Sequence, residues 1–358
     1  MFDPIKASKE IKDSYIDYIT TTFDMADTDY EREFRKELQT DGMVASGPFL
    51  DIGGSYETGH TLRELIQAQK ASVLFESLEP VAEKERELKL DRPLYQHQET
   101  AMLKAGKGEN LVITTGTGSG KTESFLLPII NHLLREQEAG TLSAGVRAII
   151  IYPMNALAND QMKRMRALFK NYPQICYGVY NGNTEHTQSK ALAEYHRTYH
   201  DETGEPTDPA PNEIISREVM QERPPHILIT NYSMLEYMML RPKDDAVFSG
   251  AKLKFIVLDE AHIYKGATGM ETSLLMRRLR ARISEPDSVQ YILTSATLGG
   301  PDADGDILSF AEKLCGVAFQ RSGIIRSTEK RPAMEDFLDF APALFEELQR
   351  SPDISSVL

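Results

Sequence analysis

At 358 residues the chain is long enough to bury one large core or two ordinary ones. Hydrophobic residues at 41% and charged residues at 26% are proportions of an ordinary globular protein, and no apolar run approaches the roughly 18–20 residues of a membrane span. A net charge of −14 excludes a protein that coats nucleic acid through its overall field, yet leaves open a motor whose contacts are local and made partly by backbone amides.

The amino terminus, "MFDPIKASKEIKDSY", has no apolar stretch flanked by basic residues and a small-residue cleavage site, so no secretion signal is expected. Cys176 and Cys315 have no metal-type spacing and suit a reducing cytoplasm. A cytoplasmic chain with no membrane partner is therefore expected.

Residues 1–90 read as helical. Ile11, Tyr15, Tyr18 and Ile19 fall at helical spacing. "TLRELIQAQKASVLF" opens on a Thr61/Glu64 capping box and carries Leu62, Leu65, Ile66, Gln69 and Val73 along one side. Between these segments "ASGPFLDIGGSYETG" is a turn region.

From residue 110 short β-branched runs alternate with helical patterns. Strands are expected at "NLVIT" (110–114), "RAIIIY" (147–152), "CYGVY" (176–180), "HILIT" (226–230), "KFIVLD" (254–259) and "QYILTS" (290–295). Helices fit at 121–137, 155–171, 267–283 and 304–315. Continuous apolar strands joined by helices imply a parallel sheet covered on both faces, an α/β three-layer domain. Residues 184–225, with nine acidic against four basic residues and the Pro-rich "GEPTDPAPNE", break this rhythm and read as a polar surface insertion.

"TTGTGSGKTES" (114–124) has the pattern of a phosphate-binding loop. Thr115, Gly116, Thr117, Gly118, Ser119 and Gly120 would turn backbone N–H groups toward phosphate oxygens at a helix N-terminus. Lys121 would reach the β- and γ-phosphates of ATP, and Thr122 would offer its hydroxyl to Mg²⁺. Thr115 stands where the strict pattern has glycine. A dinucleotide loop fails on glycine spacing and on the following Lys-Thr; a plain Gly-rich turn remains the bland alternative. "IVLDEAH" (256–262) supplies the acids that hydrolysis needs, Asp259 to hold Mg²⁺ through its waters and Glu260 to polarise the attacking water.

With these residues in view, the chain resembles the superfamily 2 DExH-box helicases, whose motif II is the "DEAH" at 259–262. Thr115 is what helicase motif I commonly carries. "RPLYQHQ" (92–98) looks like a Q-motif region, which implies that Gln98 reads the adenine edge and Tyr95 stacks nearby. "IYPMNALANDQ" (151–161) and "ITNYSML" (229–235) are similar to motifs Ia and Ib, which implies that Pro153, Asn155, Ala156, Thr230 and Asn231 face a sugar-phosphate backbone. "TSATL" (294–298) looks like motif III, with Ser295 and Thr297 coupling nucleotide state to the nucleic-acid groove and His262 linking motif II to it. "DEAHIYKGATGMETSLLMRRLRAR" is most like the Lhr and MrfA/YprA-type helicases, and the upstream pattern looks like the large helicases of phage-defence systems such as Druantia and DISARM.

The resemblance implies a RecA-like P-loop NTPase lobe at residues 91–318, preceded by a helical accessory region at 1–90 and followed by a tail or linker at 319–358. It also implies DNA as the nucleic acid, 3′→5′ movement, and a second RecA-like lobe that this chain lacks, so 1–358 is expected to bind ATP weakly and hydrolyse it poorly. Defence-system proteins are further expected partners. Two rivals stay open: a restriction-type translocase on duplex DNA, and a non-catalytic nucleotide-gated scaffold that docks a partner through residues 1–90. Elsewhere Lys163, Arg164 and Arg166 are placed equally well for phosphates or for solvent. Arg277, Arg278, Arg280 and Arg282 read as the solvated side of a helix whose apolar side is Met270, Leu274, Leu275 and Leu279, and His196 and His200 as a surface pair. "YNGNT" (180–184) is a strand-contacting stretch or a plain turn.

Overall fold

The structure, a computed structural model, describes residues 3–23, 25–40, 42–46, 55–78, 88–116, 118–200, 203–249, 251–299 and 301–330. Two compact units divide between Ser55 and Tyr56. In the first, α1 (Pro4–Thr22) and α2 (Thr28–Gln39) are joined by a turn in which the Asp27 side chain accepts from the Asp29 and Tyr30 N–H groups. An Arg35–Asp17 ion pair links the two helices. Ile16 is buried, whereas Ile11, Tyr15 and Tyr18 are exposed.

In the second unit β1 (Thr58–Thr61) pairs antiparallel with β2 (Pro93–Tyr95), with α3 (Leu62–Gln67) between them. Then come α4 (Gln96–Gly106), β3 (Leu111–Thr114), α5 (Lys121–Glu138), β4 (Ala148–Ile151), α6 (Asn155–Phe169) and β5 (Tyr177–Tyr180). They are followed by α7 (Gln188–Thr198), β6 (Glu213–Ile214), α8 (Arg217–Glu222), β7 (Ile227–Thr230), α9 (Tyr232–Leu240) and α10 (Asp245–Phe248). The unit ends with β8 (Phe255–Leu258), α11 (Gly266–Arg282), β9 (Gln290–Ser295), α12 (Asp304–Cys315) and β10 (Ile324–Arg326).

Eight strands form one sheet in the order β10-β3-β9-β8-β4-β7-β5-β6, and every pairing is parallel. Successive residues serve opposite faces, as the pleat requires. Leu111, Ile113, Ile150, Val257 and Ile292 join one core with Phe125, Leu133 and Met162. Val112, Ile149, Ile151, Leu258 and Leu293 join the other with Leu235, Leu275, Leu279 and Ile307. Each such side chain, once fully buried, contributes about 1.5–3 kcal/mol. This is the expected α/β sheet between helices, and all six expected strands are present.

Four expectations are corrected. Residues 56–78, assigned to the helical accessory region, pack with the sheet unit: Leu62, Leu65, Phe75 and Leu78 join the first core. The helix opened by the Thr61/Glu64 capping box stops at Gln67, because Gln69 turns left-handed at φ 58°. Residues 324–326, expected in a linker, form the β10 edge of the sheet; 331–358 lie outside the described residues. The insertion at 184–225 is tied into the fold by β6, by α7 and α8, and by the buried Asn212, Glu213, Ser216 and Arg217.

At the β5–β6 edge a Cβ on Gly178 would lie 2.6 Å from Ile214 O and 2.6 Å from Met220 Cε. Gly178→Ala is expected to lower stability by about 1–3 kcal/mol through overpacking, read as a lower urea midpoint; an unchanged midpoint would mean that β6 does not press on β5.

Candidate functional site

A parallel sheet places all its carboxyl ends on one edge, and the residues singled out in the sequence gather there. The loop after β3 is built by contacts from α4. His97 is buried, which pulls its pKa below the ordinary value although the Ser119 carbonyl opposes that. A neutral ring facing a carbonyl must carry its proton on Nε2, which donates to Ser119 O at 2.8 Å. Gln98 Nε2 donates to Gly120 O at 3.1 Å, and its Oε1 accepts from Tyr95 N–H at 2.9 Å. Since C=O and N–H point oppositely across a trans peptide, anchoring these two carbonyls turns the Gly120 and Lys121 N–H groups away from α4.

Gly118 and Gly120 are left-handed at φ 76° and 72°, and a Cβ on Gly120 would run into Gln98 Nε2. Ser119 Oγ donates to Thr115 Oγ1 at 2.7 Å and lies 2.8 Å from Gly116 O, closing the loop from within. Tyr56 meets Tyr95 edge-on, Tyr95 stacks on His97 with centroids 5.5 Å apart, and the Tyr56 hydroxyl stands close to Gly116. Thr117 lies outside the described residues.

The acidic pair follows β8. Asp259 N–H donates to Ile151 O of β4 at 3.0 Å, and Thr294 Oγ1 of β9 donates to Asp259 Oδ1. Burial pushes the Asp259 carboxyl up; the Thr294 hydrogen bond opposes that shift, and the neighbouring Glu260 charge adds to it. Glu260 sits in the left-handed region at φ 48°, ψ 48°, a strain on the order of 1–3 kcal/mol for a non-glycine residue. Its Oε1 lies 3.3 Å from Lys121 Nζ. Its Oε2 lies 3.3 Å from His262 Nδ1 but is buried without a hydrogen-bond partner.

His262 Nδ1 hydrogen-bonds with Ser295 Oγ at 3.1 Å, and Ser295 Oγ accepts from Thr297 N–H at 3.1 Å. Thr115 N–H donates to Ser295 O at 3.2 Å. Strand β9 therefore holds the phosphate loop on one side and the acidic pair on the other. Thr122 begins α5 beside Lys121 and is half-buried.

Two strands further along, Asn231 Nδ2 donates to Asn155 Oδ1 at 2.9 Å while its Oδ1 caps α9 through Met234 N–H. Pro153 and Asn155 are half-buried and Ala156 exposed beside them. Thr230 departs from expectation: it is 1% exposed and its hydroxyl donates to Tyr180 O at 2.7 Å, so it ties β7 to β5 instead of facing outward. Gln98 departs too, since both its amide atoms are engaged in holding the loop and the residue is 2% exposed.

The basic island after Pro153 is neutralised locally. Lys163 pairs with Asp160, Arg164 with Glu123, and Arg166 with Glu213 while stacking on Tyr199. Arg278, Arg280 and Arg282 pair with Glu236, Asp287 and Asp245. The buried side of α11 is Thr272, Leu275, Met276 and Leu279, and Met270 and Leu274 are exposed. Residues 180–184 form a turn closed by Asn181 and Thr184, and His196 pairs with Asp208. Among the described residues no group of three or more His, Cys, Asp or Glu side chains is placed to hold a metal, and no helix is long and apolar enough to cross a membrane. The sequence reading missed Tyr56, His97 and Thr294. Thr294 was legible as the first residue of "TSATL", and His97 as the neighbour of Gln98; Tyr56 left no signal because only folding brings it to residue 95.

The sequence profile of the DEAD/DEAH box helicases matches residues 95–304. The chain is 34% identical to the Druantia protein DruE of Escherichia coli, over 90% of this chain and 22% of that protein. It is 30% identical to the ATP-dependent helicase YprA of Bacillus subtilis, over 60% of this chain and 24% of that protein. In fold it is similar to the DUF1998 helicase MrfA solved bound to DNA, with a TM-score of 0.52, 24% identity, and coverage of 76% of this chain and 29% of that one. The chain thus spans about a quarter or less of the curated relatives it matches.

Asp259 offers a test of the site's electrostatics. A raised carboxylate pKa stabilises the fold below the unfolded value of 3.8 and loses that contribution as pH rises through the folded value. Asp259→Asn is therefore expected to raise the unfolding midpoint of the nucleotide-free chain at neutral pH, with the gain shrinking to nothing as pH falls below about 4. A variant less stable than its parent at pH 7 would contradict this account of the buried carboxylate.

Proposed function

The chain belongs to the DEAD/DEAH box helicases, and on that premise we propose that it is the ATP-binding part of an ATP-dependent helicase or translocase that acts on nucleic acid, DNA first among them. The observation that carries this reading is the approach of Lys121 Nζ to Glu260 Oε1 at 3.3 Å, with Asp259 alongside. A phosphate-binding amine and a carboxylate base thus share one pocket edge.

Lys121 and the N–H groups of residues 116–122 bind the triphosphate, where the α5 N-terminus adds its partial positive charge. When a phosphate takes over Lys121, Glu260 loses its ion-pair partner and its carboxylate accepts a proton from the attacking water. The orphaned Glu260 Oε2 is an acceptor already waiting for such a donor. The donor set also fits Mg²⁺, a hard cation that takes oxygen ligands: the Thr122 hydroxyl and the Asp259 carboxylate would hold it, and it would neutralise developing phosphate charge. His262 and Ser295 carry the consequence to β9, and Ser295 and Thr297 pass it to the strand edge.

Pro153, Asn155, Ala156 and Asn231 form the surface we assign to the sugar-phosphate backbone, contacts that position a strand without reading its sequence. The MrfA neighbour solved with DNA supports this reading. A second RecA-like lobe completes the site in our proposal, supported by relatives four to five times longer than the matched region. Identity to a Druantia protein along most of the chain supports a cytoplasmic role in phage defence with partner proteins.

Lys121→Ala is expected to abolish ATP binding by the intact polypeptide. Glu260→Gln should keep binding and slow Mg²⁺-dependent phosphate release by about 10²–10⁴-fold, the range for loss of a general base. Hydrolysis by Glu260→Gln at the parental rate would refute the assignment. Strand displacement run beside triplex displacement, on DNA and RNA substrates, separates unwinding from duplex translocation.

A further inference from the structure

The opposite edge of the sheet, where β8 and β9 begin, holds a cavity of about 530 Å³. Strand β9 spans six residues, so this edge lies about 17 Å from the Ser295 end and is separate from the nucleotide site. Phe255 and Gln290, the first residues of β8 and β9, line it together with Lys70, Lys107, Arg135 and Lys254. None of the described residues that line it is an aspartate or glutamate. His132, also in the wall, lies 3.5 Å from Glu136, whose carboxylate is shared with Arg147.

In a chain of net charge −14, four permanent cations around one concavity, with no carboxylate among the described residues of its wall, make a local field that draws an anion. Among the described residues, Arg135 Nη2 donates to Gln69 O at 2.8 Å and Lys254 Nζ to Ser288 O at 3.1 Å, both neutral carbonyls. Those bonds fix the side chains, leave their charge uncompensated, and leave further N–H donors on each. An independent sign comes from Gln290, which is 2% exposed and whose Oε1 is buried without a hydrogen-bond partner. Such an acceptor costs stability unless a donor reaches it. Phe255, Met102 and Pro128 give the wall an apolar part, as is usual where a ligand presents a ring to a pocket of roughly 300–1,000 Å³.

We propose that this cavity binds a small phosphorylated ring compound of nucleoside monophosphate size. Its phosphate sits among Lys70, Lys107, Arg135 and Lys254, and a ring or sugar N–H or O–H donates to Gln290 Oε1. The site does not depend on the ATP-binding reading.

The test uses the chain carrying Lys121→Ala, which silences the phosphate loop, titrated calorimetrically with AMP, GMP, CMP and inorganic pyrophosphate. At least one nucleoside monophosphate is expected to bind saturably at one site per chain, more tightly than pyrophosphate. Adding Lys70→Glu and Lys107→Glu, both exposed lysines, should raise the dissociation constant about tenfold or more with an unchanged unfolding midpoint. Gln290→Leu should weaken the nucleoside monophosphate and leave pyrophosphate unaffected. Absence of saturable binding, pyrophosphate binding as tight as that of the nucleotides, or indifference to the lysine reversals overturns the proposal. ATP binding retained by the Lys121→Ala chain would instead count against the phosphate-loop assignment alone.

Discussion

The site depends on where one strand sits. Strand β9 lies between β3 and β8, and its last two residues touch both neighbours' functional ends. Thr294 donates to Asp259 while the Ser295 carbonyl accepts from Thr115 N–H. A displacement of β9 by a fraction of a hydrogen bond would therefore move the phosphate loop and the acidic pair relative to each other. The strand is buried along its length, and a close-packed interior resists such displacement. What is free to respond is the side-chain layer on top, where His262 meets Ser295 and Ser295 meets Thr297.

Much of the polar burial in this unit serves to build loops. His97 and Gln98 are almost fully buried, and their hydrogen bonds go to two carbonyls of the phosphate loop. Asn212 donates to the carbonyls of Tyr172 and Ile175, and Asp244 accepts from Tyr180 and Gln221. In each, the engaged atom meets a backbone group or a side chain that it orients, the way polar burial specifies one conformation, while His97 Nδ1, Asn212 Oδ1 and Asp244 Oδ2 stay without a hydrogen-bond partner. The cost is concentrated at the edge, where Asp259 is held with a raised pKa and Glu260 with a left-handed backbone. Strain and unfavourable charge of this kind collect at functional positions because the surrounding sheet over-determines them.

Charge is arranged locally in the same way. The overall charge is acidic, and the basic clusters visible in the sequence are mostly bound to carboxylates of neighbouring elements. Arg166 is held bidentate by Glu213 and covered by Tyr199. In the folded chain that arginine fastens the insertion to α6. A linear count of basic residues thus overstates the free positive charge, and the half-buried, neutral Asn155 and Asn231 stand hydrogen-bonded to each other after β4 and β7.

The sequence alone determined the types of the six strands and four helices expected from residue 110 onward, though not of β1, β2, β6 or β10. Continuous β-branched runs, glycines before Lys121, and a strand ending in Asp259 and Glu260 are each local patterns whose physics needs only near neighbours. Helix ends at 121, 155 and 304 followed from the same periodicity. Strand order, and with it the meeting of residues 115, 259 and 294, came only from folding, because no spacing along the chain encodes which parallel strands become neighbours. The same holds for Gln98, Thr230 and Arg166. Their residue types suit an exposed contact, but tertiary packing put a carbonyl or a carboxylate within reach first, and a buried polar group must take the partner it is given.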